Sequence, residues 1–446
     1  MIKCHFRWSK MGIVLPFLAV GCPFQQAVQA AGWTTVIGLS VDQSYTDNAD
    51  LDAEEKSESI TSISPSLSVY RQGARAKLDL SYAPEYRQYW HETSEDEVIH
   101  FLGANANVEF VRNHFFLDAA ASADQRTINS SGRTGIGGRT GTDDQTQTYS
   151  YYLSPYFRSR LGRSNRLEVR YGFDQVDYSE DDAQGSTGHT ANVSLSSVPG
   201  VTGPFSWSIL LEQSRVEYDD RDGDDETRQA RAELAYELNN KWALSAQLGY
   251  EDFELVEQED ESGRIWNLGF IYTPNTRTRL AAGGGERAFG NDYYIDFSHR
   301  SRRTVWTANY LRDFISARDE VRNTNRFPRE DEFGNLIEDP TAADTDPTLG
   351  GSPTLDTAHY VLRQFSTAFT LSTGRTTASL GAGYAEREYA ETSSIGDTRD
   401  VDLSLNFSRQ IQRRTNGLLL LSWRDHQEEQ ADYKEWLCLL YTSPSP

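Results

Sequence analysis

Cysteine is almost absent from this chain. Three occur in 446 residues, Cys4, Cys22 and Cys438, so residues 23–437 can hold no disulfide. An exported fold without such staples must rely on burial and on hydrogen-bonded closure of its backbone. Long apolar runs are missing too. Beyond residue 30 nothing approaches the roughly 18 consecutive apolar residues of a spanning helix, which excludes an α-helical membrane protein. Positive charge is in deficit, with 43 Lys+Arg against 66 Asp+Glu and a formal net charge of −23, an argument against nucleic acid as a partner. The eight histidines are scattered, and none stands beside a serine and an acid at one level. Catalysis by such a constellation is not expected, and no cofactor or metal is expected.

The first 30 residues read as a secretory leader. Lys3, Arg7 and Lys10 precede an apolar run over 11–22, and Val28-Gln29-Ala30 supplies the small-residue cleavage site. An alternative is a lipoprotein acylated at Cys22, although the leucine usual three residues earlier is replaced by Ala19.

What the sequence does contain is alternation. Over 75–91, Ala76, Leu78, Leu80, Tyr82, Pro84, Tyr86 and Trp90 fall on one face, while Lys77, Asp79, Ser81, Glu85, Arg87 and His91 fall on the other. Successive side chains of a strand point to opposite sides, so this segment separates an apolar surface from a charged one. Such segments recur near 33–45, 59–71, 75–91, 98–111, 115–126, 147–161, 166–178, 188–198, 205–218 and 227–238. They continue near 242–255, 264–273, 278–289, 292–300, 303–315, 358–372, 376–389, 398–411 and 415–426. A period of two sustained over about 19 long segments predicts an all-β, antiparallel, up-and-down transmembrane β-barrel, since a closed barrel satisfies every backbone group in lipid.

The connections alternate between two kinds. Tight polar or basic turns stand at 72–74, 112–114, 162–165, 239–241, 274–278, 301–303, 373–375 and 412–416. Longer acidic loops stand at 47–58, 92–97, 179–185, 219–227 and 257–263, and Gly290-Asn291 is the one outside connection that is short. In outer-membrane barrels the short turns face the periplasm, so the N-terminus is expected there and the loops outside. An odd count leaves the last strand ascending. The terminal 437–446, Leu-Cys-Leu-Leu-Tyr-Thr-Ser-Pro-Ser-Pro, breaks the alternation and resembles adapter read-through. The barrel is therefore expected to span 31–436, and to have 20 strands when complete, within a range of 18–22.

Ser62-Ile63-Ser64-Pro65-Ser66-Leu67-Ser68-Val69-Tyr70, Leu78-Asp79-Leu80-Ser81-Tyr82-Ala83-Pro84-Glu85-Tyr86 and Tyr152-Leu153-Ser154-Pro155-Tyr156-Phe157 carry a resemblance. With Gly162-Arg163-Ser164-Asn165 and Ser301-Arg302-Arg303-Thr304-Val305-Trp306, they resemble the outer-membrane proteins associated with PEP-CTERM/exosortase and exopolysaccharide gene clusters. The resemblance covers most of 31–436 and consists of strand and turn signatures. It implies a barrel close to an exopolysaccharide synthesis and export system, and it supplies no catalytic residue. Expected partners are outer-membrane lipid and lipopolysaccharide, the exopolysaccharide with its export machinery, and the barrel-assembly machinery during biogenesis. Pro65, Pro84 and Pro155 donate nothing to a ladder and are expected at bulges or strand ends.

The candidate functional residues are the lumen-facing charges: Lys77, Asp79, Glu85, Arg87, Glu109, Arg158, Arg160, Glu168, Arg170, Glu212, Arg231, Glu233 and Glu251. As rings around a pore they would filter solutes by charge. As cross-strand pairs they would only satisfy a polar interior. Arg363 shares the apolar face of Val361, Phe365 and Phe369, and is expected to snorkel at the outer interface. The acidic run at 219–226 has its glycine one position early for a calcium loop and lacks the closing Glu, so a solvated loop is expected. The connection 317–356 is the long irregular one; it could plug the barrel, cap its mouth, bind a partner or stay unstructured.

Overall fold

A computed structural model describes residues 28–444, apart from 31, 50–55, 92–93, 129–144, 181–182, 199, 220, 257, 259, 325–354, 356, 390–395, 413–414 and 429–431. Of the expected leader, only Val28–Ala30 lies within the described residues. It forms β1, which pairs with β2, Trp33–Thr46. The wall then runs through β3 (Glu58–Gln72), β4 (Ala76–Tyr89), β5 (Glu97–Val111), β6 (Phe115–Thr127), β7 (Gln145–Leu161), β8 (Asn165–Tyr178) and β9 (Ser186–Ser197). It continues with β10 (Phe205–Tyr218), β11 (Asp224–Asn239), β12 (Trp242–Glu254), β13 (Glu261–Asn275), β14 (Thr278–Arg287), β15 (Gly290–Arg300) and β16 (Thr304–Ser316). After the helix α1 (Ala317–Thr324) come β17 (His359–Thr373), β18 (Thr376–Tyr389), β19 (Thr398–Gln412), β20 (Thr415–Glu428) and β21 (Tyr433–Pro444).

Every strand pairs antiparallel with its neighbour in sequence, from β1–β2 to β20–β21. The architecture is all-β and up-and-down, with β2–β20 matching the 19 expected strands and β21 making 20 long ones. The ladder thus extends through Tyr433–Pro444, which lies against Thr415–His426 and includes most of the segment read from sequence as adapter. Among the described residues no pairing joins β21 to β2, so the seam of the curled wall carries no ladder.

The alternation sorts as expected. Leu39, Leu211, Leu234, Leu248 and Leu268 stand 47–66% exposed on the convex face, whereas Arg87 and Glu251 on the concave face are wholly buried. The prolines behave differently from expectation. Around Pro65 and Pro84 the β3–β4 ladder skips from Ile63↔Tyr86 to Leu67↔Tyr82 with no change of register. Around Pro155 the β7–β8 ladder skips from Leu153↔Phe173 to Tyr156↔Arg170. Each proline sits mid-strand, and the neighbouring pairs hold the register across the gap. Bulges occur instead beside the tight turns, at Glu109/Val111, Glu237/Asn239, Tyr272/Asn275 and Gln410/Gln412.

The curl is not round at the loop end. Twenty strands about 4.8 Å apart would give a circumference of roughly 100 Å and a width of about 30 Å. Yet Phe253 of β12 meets Phe314 of β16 with ring centroids 4.9 Å apart, and Gln258 Nε2 donates to the carbonyl oxygen of His359 at 2.9 Å. These contacts pass over the short β14–β15 hairpin, whose tip is closed by Gly290 at φ 98°. Arg312 fixes that tip by donating to the carbonyl oxygens of Phe289 (3.0 Å) and Asn291.

Candidate functional site

The concave face carries ion networks arranged in patches around the wall. On β4–β6, Arg87 Nε donates to Glu85 Oε1 at 2.7 Å, while its Nη1 reaches Glu97 and Gln125, each at 3.4 Å. On β6–β8, Arg170 Nη1 donates to Asp118 at 2.7 Å and to Ser154 at 3.1 Å, and Arg158 Nε donates to Glu168 at 2.8 Å. The Arg170 guanidinium also lies 3.9 Å from the centroid of the Tyr156 ring. On β12–β16, Glu251 accepts from Arg287 Nη2 at 2.8 Å and from the Ala288 amide at 2.8 Å, and Arg287 Nη1 donates to Asp313 at 2.8 Å. On β18–β20, Arg387 Nη1 donates to Asp400 at 3.0 Å, Asp400 meets His426 Nδ1 at 2.7 Å, and Arg424 Nε donates to Asp402 at 2.7 Å.

The candidate charges therefore divide. Glu85 with Arg87, Arg158 with Glu168 and Arg170, and Glu251 are built into networks. Arg231 donates to Gln229, itself bonded to Glu251 at 3.3 Å, and Glu212 accepts from Asn192 at 2.9 Å. Glu109 ties the β5–β6 turn by accepting from the Asn113 amide, where Asn113 has φ 61°, so its role is in the turn. Lys77, Arg160 and Glu233 are exposed and Asp79 is partly buried. Ion pairing thus accounts for Glu85, Arg87 and Glu251 at the loop end and for Arg158, Glu168 and Arg170 nearer the tight turns, while Lys77, Arg160 and Glu233 stand exposed.

Sequence reasoning missed the partners Asp118, Arg287, Asp313, Arg387 and Asp400, and it missed α1. The helix follows β16 directly. Its start is capped by Ser316, whose hydroxyl and amide donate to Asp319 Oδ2 at 3.0 and 3.3 Å, while the Asp319 amide donates back to Ser316 Oγ at 3.3 Å. Ser316 and Asp319 in a Ser-x-x-Asp spacing were the legible signal for it. The helix runs inward across the loop end. On one side Glu320 accepts from Arg387 Nη2 of β18 at 3.2 Å, and Ala317 packs with Tyr360, Leu362, Ala385 and Tyr389. On the other side Arg318 donates to Ser186 Oγ of β9 at 2.8 Å and pairs with Asp174 of β8. Val321 packs with Val176, Ala183 and Leu355, and the Leu355 amide donates to the carbonyl oxygen of Ile128 at 2.8 Å. The hairpin expected around residues 331–337 lies outside the described residues.

Two further expectations resolve at the loop end. Arg363 does not snorkel alone: it pairs with Glu386 at 3.2 Å and Glu388 at 2.7 Å, and Arg399 joins Glu386 at 3.3 Å. The acidic run is not the solvated loop expected, because Asp225 and Arg221 are buried together as a pair at 2.7 Å, with Asp225 also accepting from the Val256 amide at 3.1 Å, while Asp224 pairs with Arg215. Among the described residues no three His, Cys, Asp or Glu side chains converge as a metal site.

No protein-family model matches the chain, and no curated protein does. Among solved structures it is similar to the siderophore receptor PirA from Pseudomonas aeruginosa, at 10% identity and TM-score 0.47 over 92% of this chain and 74% of that one. It is similar also to the FrpB iron transporter from Neisseria meningitidis, at 10% identity and TM-score 0.46 over 93% and 81%. The outer membrane protein OpdK from Pseudomonas aeruginosa gives 10% identity and TM-score 0.38 over 92% and 97%. These are likenesses of chain course; the up-and-down architecture of this protein is established by its own strand register.

Proposed function

We propose that the chain is a bacterial outer-membrane β-barrel channel for polar solutes, with its tight turns and N-terminus periplasmic and its longer loops outside. The observation that carries this reading is the sorting of the two faces. Leu211, Leu234 and Leu248 stand out on the convex side, while the concave side is lined by charged and hydrogen-bonding groups from β4 to β20. An apolar outer belt fits hydrocarbon, and a polar inner wall of 20 strands fits water, because barrels of about eight strands are already filled by their own side chains. No catalytic role is assigned to any residue. The solute we favour is an exopolysaccharide passing the outer-membrane step, which rests on the resemblance of the Ser-Pro-Ser and Tyr-x-Pro-containing strands. Lipopolysaccharide is the partner proposed for the outer rim, where Arg363, Arg399 and their carboxylates stand on the convex side.

A second reading is a non-conducting structural or receptor-like barrel whose acidic loops bind surface polymer. It is favoured by the passage of α1 across the interior and by the wall-to-wall contacts at the loop end. A general diffusion porin would differ from the first reading only in what passes. The test is single-channel recording on the full chain refolded in lipid, beside a form with 317–356 replaced by a short link. Conductance steps whose ion selectivity shifts on Arg170→Glu support the channel. Silence in both forms, with heat-modifiable folding intact, overturns it in favour of the structural barrel.

A further inference from the structure

We infer that α1 is a built-in gate whose releasable contact is Arg318 on the β8–β9 wall. The inference rests on the channel reading and adds its regulation. Arg318 and Glu320 are two residues apart, a spacing that sends side chains to opposite sides of a helix. Each finds a charged partner on a different part of the wall, Asp174 for the first and Arg387 for the second. The helix is therefore a strut set between two walls.

The two attachments are unequal. The β16–β18 side is continuous with the helix through Ser316, is capped by the Ser316–Asp319 exchange, and buries Ala317 among Tyr360, Leu362, Ala385 and Tyr389. The β8–β9 side is reached only through space, by Arg318 and by Val321, which packs on Val176 and Ala183. There the Arg318 side chain is 4% exposed and pairs with an Asp174 that is 2% exposed. Ser186 accepts a second bond at 2.8 Å. Gly188 completes the seat, because a Cβ there would fall 2.8 Å from Asp174 Oδ2 and collide with the Arg318 guanidinium. A buried ion pair gains in attraction about what it loses in desolvation, so it fixes a position without welding it. That suits a contact that must open. The helix pivots at Ser316 and leaves the far wall, while Glu320–Arg387 keeps its base.

The test is single-channel recording on full-length protein with Arg318→Ala, Arg318→Lys and Gly188→Val, each first checked for heat-modifiable migration. Gly188→Val removes no charge and no hydrogen-bonding side chain, so it probes the seat independently if Arg318→Ala does not fold. The expected result is a wild type with brief openings, and at least a ~10-fold higher open probability in Arg318→Ala and Gly188→Val. Arg318→Lys should fall between. Open probabilities equal to wild type in folded Arg318→Ala and Gly188→Val overturn the gate and leave the channel standing. If every protein is silent, the gate falls together with the channel reading.

Discussion

At the scale of single residues, the interior is held by charges that cannot be removed one at a time. Glu251 is wholly buried and accepts from Arg287, from the Ala288 amide and from Gln229. Its replacement by alanine leaves Arg287 buried beside Arg231 with one carboxylate fewer. Glu251→Ala should destabilise the fold by about 3–5 kcal/mol, read as a lower urea midpoint by tryptophan fluorescence in lipid. Glu251 was legible as a concave-face residue from the period of two alone. Its partner was not, because Arg287 arrives from 36 residues away by way of β13 and the β14–β15 tip.

At the scale of elements, the strand is the unit that the sequence specifies best and the ladder is the unit that packing adjusts. Leu248 stands 66% exposed on the convex face in the middle of β12. Leu248→Arg should cost about 2–4 kcal/mol if that face meets the bilayer midplane; a urea titration showing no loss would remove β12 from the lipid-facing belt. Gly285 illustrates a different constraint. A Cβ there would lie 2.6 Å from Asn267 Cα and closer still to the Trp266 carbonyl. Gly285→Val should therefore separate β13 from β14 and abolish the heat-modifiable band on a gel. The helix α1 was not read from sequence because eight residues give too few turns for a period, although its Ser316 and Asp319 cap was in plain view.

At the scale of the whole molecule, the alternation of tight turns with long loops sets an orientation that can be checked directly. In a Cys438→Ser background, a cysteine at Asp222 should react with a membrane-impermeant maleimide on intact cells. One at Lys241 should react only after the outer membrane is permeabilised. The reverse pattern would invert the proposed topology. The loop end is also where this protein departs from a plain cylinder. Phe253–Phe314 and Gln258–His359 bring β12 to β16 and β17, and α1 ties β16–β18 to β8–β9.

The sequence by itself determined the strands and the alternation of their two faces, because a period of two is a local property that survives without knowledge of partners. The 19 expected strands coincide with β2–β20, and Glu85, Arg87 and Glu251 are buried on the concave face. Which charge meets which was decided only by the tertiary structure, since those pairs depend on register added up over several ladders. The inward course of α1 was decided there too. Arg318 has no local reason to leave the helix for Asp174, 144 residues away in the chain; the flattened loop end brings that wall within reach.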